Sequence, residues 1–186
     1  PTGIVLFGGQ GSKAMLGIAK RLPDTQLILA CGHNTALANA LRALPARAPR
    51  LVLGFTPDVA RTMHLADFFI GKPGPGSLSE AVQMHLPVIV VRNRWTLPQE
   101  RYNAQWVQEN GVGLVLPSFA KVDRAVAELV RDLPRYRAAT ERMHNRAVFE
   151  LPGILRDVLV RADALSPSND RLLTHECGPT PQALTF

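Results

Sequence analysis

The chain has little of what marks specialised scaffolds. It has two cysteines, Cys31 and Cys177, far apart and without a C-x-x-C. This excludes a disulfide-dense framework and offers no zinc-ligand spacing. The five histidines, His33, His64, His85, His144 and His175, never approach one another at metal-ligand spacing, so no metal site is expected. Aromatic residues make up only 6%, and the basic residues are scattered arginines without a Lys/Arg run. The net charge of +6 and the isoelectric point near 10.0 favour anionic partners, but this distribution does not make a nucleic-acid surface. No apolar run approaches the roughly 20 residues that span a bilayer. Pro1-Thr2-Gly3-Ile4 enters an apolar strand without a basic leader, so no signal peptide is expected. No G-x-S-x-G elbow or Cys/His pairing offers a nucleophile.

What is present is an ordinary globular balance, 46% hydrophobic and 19% charged, over 186 residues. That is enough for one domain with a sizeable core. Short β-branched and aliphatic runs, each closed by a loop, predict six strands: 3–7, 26–30, 51–53, 67–70, 87–91 and 111–116. Segments with helical apolar spacing lie between them, at 13–22, 35–44, 57–66, 77–85 and 99–110. The third of these is expected to be capped by Thr56, with Pro57 as its first residue. After the sixth strand, helices are predicted at 122–132, 134–148 and 154–162. Residues 163–186, rich in Pro, Ser and Thr from Ser166, read as a loosely ordered tail. Regular strand–helix alternation predicts a doubly wound, Rossmann-like α/β domain over residues 1–162, with a parallel sheet covered on both faces.

In such a sheet, ligands sit at the carboxyl ends of the strands, and three turns there are unusual. Gly8-Gly9-Gln10-Gly11-Ser12 follows the first strand; it allows close backbone approach and opens a helix that can face an anion. It is no Walker A loop. It matches G-x-G-x-x-A formally, but the second strand ends at Ala30-Cys31-Gly32-His33-Asn34, without the acid that a dinucleotide ribose needs. Gly74-Pro75-Gly76-Ser77-Leu78-Ser79-Glu80 joins the fourth strand to a helix, whose N–H groups suit a diphosphate. Glu80 has two readings: a carboxylate for a ribose diol, or the third position of a capping box begun by Ser77. In Pro98-Gln99-Glu100-Arg101-Tyr102-Asn103, Gln99, Glu100 and Asn103 share one helical turn and could read sugar hydroxyls, though an ordinary polar helix start has the same composition. His33 lies on the same rim.

Together, Gly71-Lys72-Pro73-Gly74-Pro75-Gly76-Ser77-Leu78-Ser79-Glu80-Ala81, Leu86-Pro87-Val88-Ile89, Pro98-Gln99-Glu100 with Asn103, and Asn110-Gly111-Val112-Gly113 resemble the C-terminal half of GT-B glycosyltransferases. The resemblance is to monogalactosyldiacylglycerol synthases and diacylglycerol glucosyltransferases, and more distantly to the GlcNAc transferase that makes lipid II. It covers residues 3–162, with Cys31-Gly32-His33-Asn34 and Gly54-Phe55 at similar turns.

The resemblance implies a half-enzyme that binds a UDP-sugar for inverting transfer of galactose, glucose or GlcNAc to a lipid acceptor, without a cofactor or a tightly bound metal. It implies that the backbone near Phe55 and Thr56 holds the uracil and that Glu80 takes the ribose. It gives Gly76, Ser77 and Leu78, after Gly74, the diphosphate, and Gln99, Glu100 and Asn103 the sugar. Gly9, Gln10 and Gly11 would face the interdomain cleft near the phosphates and acceptor. The acceptor-binding half, with the general base, is expected on a further domain or a partner chain, and these 186 residues alone are expected to be inactive. The implied location is cytoplasmic, peripheral at the inner membrane face. A non-catalytic nucleotide-binding module and the donor subunit of a two-chain transferase are the alternatives.

Overall fold

The computed structural model describes residues 1–165. The chain divides into two compact units, Pro1–His144 and Asn145–Phe186. The first unit contains six strands: β1 (Thr2–Leu6), β2 (Gln26–Ala30), β3 (Arg50–Leu53), β4 (Phe68–Gly71), β5 (Val88–Val91) and β6 (Gly113–Leu116). All pair in parallel, in the order β3-β2-β1-β4-β5-β6. The chain winds outward from β1 to β3, then returns to the other side of β1 and winds the opposite way. The reversal lies between β1 and β4, where Leu6 pairs with Gly71. Loops leaving those two strands diverge to opposite faces and open a crevice at their carboxyl ends.

Strand side chains alternate between two cores, as the period of two requires. On one face Val5, Leu27, Leu29, Phe68, Ile70 and Ile89 are buried with residues of α1 (Ala14–Arg21), α2 (Thr35–Arg42) and α6 (Val122–Arg131). On the other, Ile4, Leu6, Ile28, Phe69, Val88 and Val90 are buried with residues of α3 (Val59–Met63), α4 (Pro75–Gln83), α5 (Pro98–Glu109) and α7 (Leu133–Glu141). The doubly wound α/β reading of the sequence therefore describes the molecule.

Four local expectations change. The helix after β3 is shorter than the predicted 57–66: it begins at Val59, capped by Asp58, whose Oδ1 accepts from the Arg61 N–H at 2.9 Å. Thr56 instead accepts from the Asp58 N–H at 3.2 Å, in a turn before the helix. α4 begins at Pro75, two residues earlier than predicted, because proline suits the first helical position. α7 ends at Glu141, well short of 148. In the second unit one helix, α8 (Ala147–Leu165), runs through Pro152 and Gly153, where a break was expected. Pro152, in its second turn, donates no hydrogen bond to the Val148 carbonyl four residues back, and the helix continues without that bond. The tail from Ser166 lies outside the described residues.

Candidate functional site

Two clefts open at the carboxyl edge of the sheet, one on each side of the loop that follows β1. The first, of about 140 Å³, is lined by Gly9, Gly32, Phe55, Thr56, Ser77 and Glu80, among others. Its floor is built by close backbone packing. The His33 N–H donates to the Gly9 carbonyl at 2.8 Å, and the Asn34 Nδ2 to the Gln10 carbonyl at 3.3 Å. Gly32 has φ +59°, and a Cβ there would stand 2.0 Å from the Gly9 oxygen, so only glycine lets the two loops meet. Gly11 closes the first loop by donating to the Gly8 carbonyl at 3.1 Å. Above this floor the His33 ring stacks on Phe55, with centroids 4.1 Å apart and planes 16° apart. Phe55 is 60% exposed, so the pair presents a flat aromatic surface at the cleft. Cys31, beneath the same turn, is buried, and burial pushes its thiol above the ordinary range.

The start of α4 excludes one of the two readings of Glu80, the capping box. Gly74 is the N-cap and Pro75 the first helical residue, so Ser77 is the third residue of the helix rather than its cap. Ser77 and Glu80 therefore form no capping box. Glu80 lies a turn further on, exposed, with no side-chain hydrogen bond among the described residues, and lines the first cleft. The Leu78 N–H, expected to be free, donates to the Gly74 carbonyl at 3.1 Å, and its side chain is buried. The N–H groups of Gly76 and Ser77 belong to the first helical turn, which has no carbonyl a turn back to receive them. No acidic side chain of α4 itself occupies that turn, although the Glu100 carboxylate of α5 lies close to Gly74, its N-cap.

The second cleft, of about 540 Å³, is lined by Ser12, Lys72, Pro73, Thr96, Leu97 and Glu100, among others. Here the structure assigns partners that spacing could not show. The Glu100 carboxylate is buried and accepts from the Lys72 Nζ at 3.1 Å. Asn103 Nδ2 donates to the Pro73 carbonyl at 2.8 Å. Both side chains thus clamp residues 72–74, the segment that aims the start of α4. Gln99, on the exposed side of the same helix, has no side-chain hydrogen bond among the described residues. Lys72 was not singled out from the sequence. Its partnership with Glu100 spans 28 positions and has no local signal.

The structure therefore brings Gly9, Phe55, Thr56, Ser77 and Glu80 into one cleft and Glu100 into the other, with Gly74 and Gly76 at the intervening helix start. Gln10 and Gly11 shape the loop dividing the clefts, and neither they nor Leu78, Gln99 and Asn103 line either cleft. Among the described residues no group of three or more His, Cys, Asp or Glu side chains could hold a metal ion.

Residues 4–157 match the model of the glycosyltransferase family 28 C-terminal domain. The chain belongs to that family. It is 32% identical over 136 residues to monogalactosyldiacylglycerol synthase 2 of Arabidopsis thaliana, covering 67% of this chain and 29% of that protein. It is 29% identical over 144 residues to the processive diacylglycerol beta-glucosyltransferase of Staphylococcus carnosus, covering 76% of this chain and 36% of that one. Among solved structures, Acinetobacter baumannii MurG superposes with a TM-score of 0.67 at 20% identity, over 84% of this chain and 49% of that one. The calicheamicin glycosyltransferase CalG4 superposes with a TM-score of 0.65 at 21% identity, over 90% of this chain and 44% of that one. The family 28 chain thus has the fold of one half of a GT-B glycosyltransferase, and the resemblance read from its turns is correct.

Proposed function

We propose that this family 28 domain is the UDP-sugar-binding half of an inverting glycosyltransferase that acts on a lipid acceptor. The observation carrying the proposal is the first cleft: an aromatic surface, an unpartnered carboxylate and a helix start with free N–H groups lie together. The backbone beside Phe55 and Thr56, with the stacked His33–Phe55 pair, receives the uracil. Glu80 accepts from the ribose hydroxyls. The Gly76 and Ser77 N–H groups receive the diphosphate. The sugar then extends toward the second cleft, which Glu100 lines, with Gln99 offered from the exposed side of α5 and Asn103 holding residues 72–74 in place.

Transfer lengthens the bond from the sugar's anomeric carbon to the diphosphate oxygen, and charge grows on the leaving UDP. Oriented N–H groups at a helix start stabilise charge developing there without reorganising. A lipid acceptor fits the names of the diacylglycerol enzymes among the relatives. A first cleft of 140 Å³ is well below the roughly 300–1,000 Å³ of complete ligand pockets. A second half closing over the crevice, on the same polypeptide or another, would complete it and bring the general base. The test is titration of the purified chain with UDP, UDP-galactose, UDP-glucose, UDP-GlcNAc and NAD. Binding of UDP and at least one UDP-sugar, with none of NAD, is expected. Binding of NAD alone, or of no nucleotide, contradicts the proposal.

A further inference from the structure

The two charged groups that meet in the second cleft, Lys72 and Glu100, differ in freedom. Glu100 stands in the first turn of α5, where its N–H donates to the Leu97 carbonyl at 2.8 Å, and its side chain is only 9% exposed. Lys72 follows Gly71, whose backbone is close-packed: it pairs with Leu6, and a Cβ at Gly71 would stand 2.4 Å from the Leu6 oxygen. On the other side Asn103 holds the Pro73 carbonyl. The Lys72 side chain is 48% exposed, and its ammonium has no partner but Glu100 among the described residues. The backbone around Lys72 is therefore fixed, while its side chain can turn. The pair also stands beside the start of α4. A Cβ at Gly74, its N-cap, would lie 3.2 Å from Lys72 Cε and 3.5 Å from Glu100 Oε1. The ion pair uses Glu100 Oε1; Oε2 has no hydrogen bond among the described residues and is open to the cleft.

We propose that the Lys72–Glu100 pair is an exchangeable contact: the donor's diphosphate draws the Lys72 ammonium away from Glu100, and the freed carboxylate accepts from a hydroxyl of the sugar. A half-exposed lysine–carboxylate pair contributes little to stability, so leaving it costs little. A diphosphate at the Gly76 and Ser77 N–H groups carries more than one negative charge and outcompetes a single carboxylate for the ammonium. Lysine suits the exchange, being a point charge on a flexible stem without a fixed fork geometry. Rotation about its last side-chain bonds carries the ammonium past Gly74, where any larger residue would stand in the way. Glu100 is buried and cannot follow, so it needs donors in place of the lysine. Sugar hydroxyls at the second cleft supply them; UDP alone does not. Glu100 is thus an internal competitor for the cation, and its carboxylate turns to the sugar only when a diphosphate is in place. The inference rests on the reading of the α4 start as the diphosphate site and adds an order of recognition to it.

The test is calorimetric titration of the 186-residue chain with UDP, UDP-galactose, UDP-glucose and UDP-GlcNAc. Wild type, Lys72→Gln, Lys72→Arg and Glu100→Gln are compared, and melting temperature shows that each variant is folded. Lys72→Gln should bind UDP about tenfold more weakly, the scale of one charge-assisted hydrogen bond, and Lys72→Arg should recover most of that loss. Glu100→Gln keeps the shape and removes the competing charge. It should bind UDP several-fold more tightly than wild type, a direction that neither a structural clamp nor a plain sugar contact produces. The gain should be absent for the UDP-sugar that wild type binds best, because the charged acceptor for its hydroxyl is lost. Equal or weaker UDP binding by Glu100→Gln overturns the proposal. So does unchanged UDP binding by Lys72→Gln, or a Glu100→Gln gain of the same size for UDP and all three UDP-sugars. Failure of wild type to bind UDP would instead contradict the donor-site reading itself, which the same titrations report separately.

Discussion

Two neighbouring side chains on α5 stand in different surroundings, although both are polar and lie one turn apart. Gln99 is exposed and unpartnered, whereas Asn103 is tied to the Pro73 carbonyl. Gln99→Ala should weaken UDP-sugar binding more than UDP binding, by about 0.5–1.5 kcal/mol for a lost neutral hydrogen bond, with little change in stability. Calorimetric titration with both ligands checks this; equal weakening removes Gln99 from the sugar site. Asn103→Ala should instead lower stability by about 0.5–1.5 kcal/mol, since it removes the clamp on residues 72–74, and weaken UDP and UDP-sugar alike. Denaturant unfolding and the same titrations test it, and an unchanged midpoint with selective loss of UDP-sugar would make Asn103 a direct sugar ligand. Sequence spacing could place Gln99, Glu100 and Asn103 on one turn. It could not show that two of them are already engaged, because their partners Lys72 and Pro73 come from a different strand end.

Among the elements, the turns rather than the helices fix the shape of the crevice. Gly32 is the joint between the loops after β1 and β2, and Gly32→Ala introduces both an unfavourable φ and contact with the Gly9 carbonyl. The expected cost exceeds about 2 kcal/mol, a fall in melting temperature of at least roughly 4 °C for a domain of this size. A melting temperature within a degree of wild type would show that the two loops separate at no cost. The strands were legible because each is a short apolar run ended by glycine or a polar turn, and both sheet faces are covered, so hydrophobicity alone marks them. Helix starts were less so. At α4 the Ser77-x-x-Glu80 pattern competed with Pro75 at the first helical position, and the proline prevailed since its fixed φ is already helical. The helix at Asp58 shows the same competition between caps, and there the carboxylate displaced Thr56. The run through Pro152 was read as a break because a proline inside a helix removes one hydrogen bond and crowds the carbonyl four residues back.

At the scale of the molecule, sheet order gathers the crevice: β1 and β4 are adjacent in space though separated by more than sixty residues, and their loops meet the turns of β2 and β3. Strand–helix alternation foretold a doubly wound sheet, and the Gly-rich turns lie at the edge where the two clefts open. The division into two clefts by the loop after β1 emerged only in three dimensions. With the first cleft open on one side, residues 1–186 should bind UDP yet transfer no sugar from UDP-galactose or UDP-glucose to diacylglycerol; sustained turnover by this chain alone, followed with labelled donor, would show that it needs no second half. The central claim is that Glu80 holds the ribose of a uridine nucleotide. It is tested most directly by measuring UDP and 2′-deoxy-UDP affinities of wild type and Glu80→Gln by calorimetry, with melting temperature recorded alongside. Hydrogen bonds to a charged group contribute about 1.5–3 kcal/mol, so Glu80→Gln should bind UDP about tenfold or more weakly while melting near wild type. Wild type should prefer UDP to its deoxy analogue, and the variant should lose most of that preference. Unchanged UDP affinity in Glu80→Gln, with the preference for the ribose hydroxyl intact, would contradict the account.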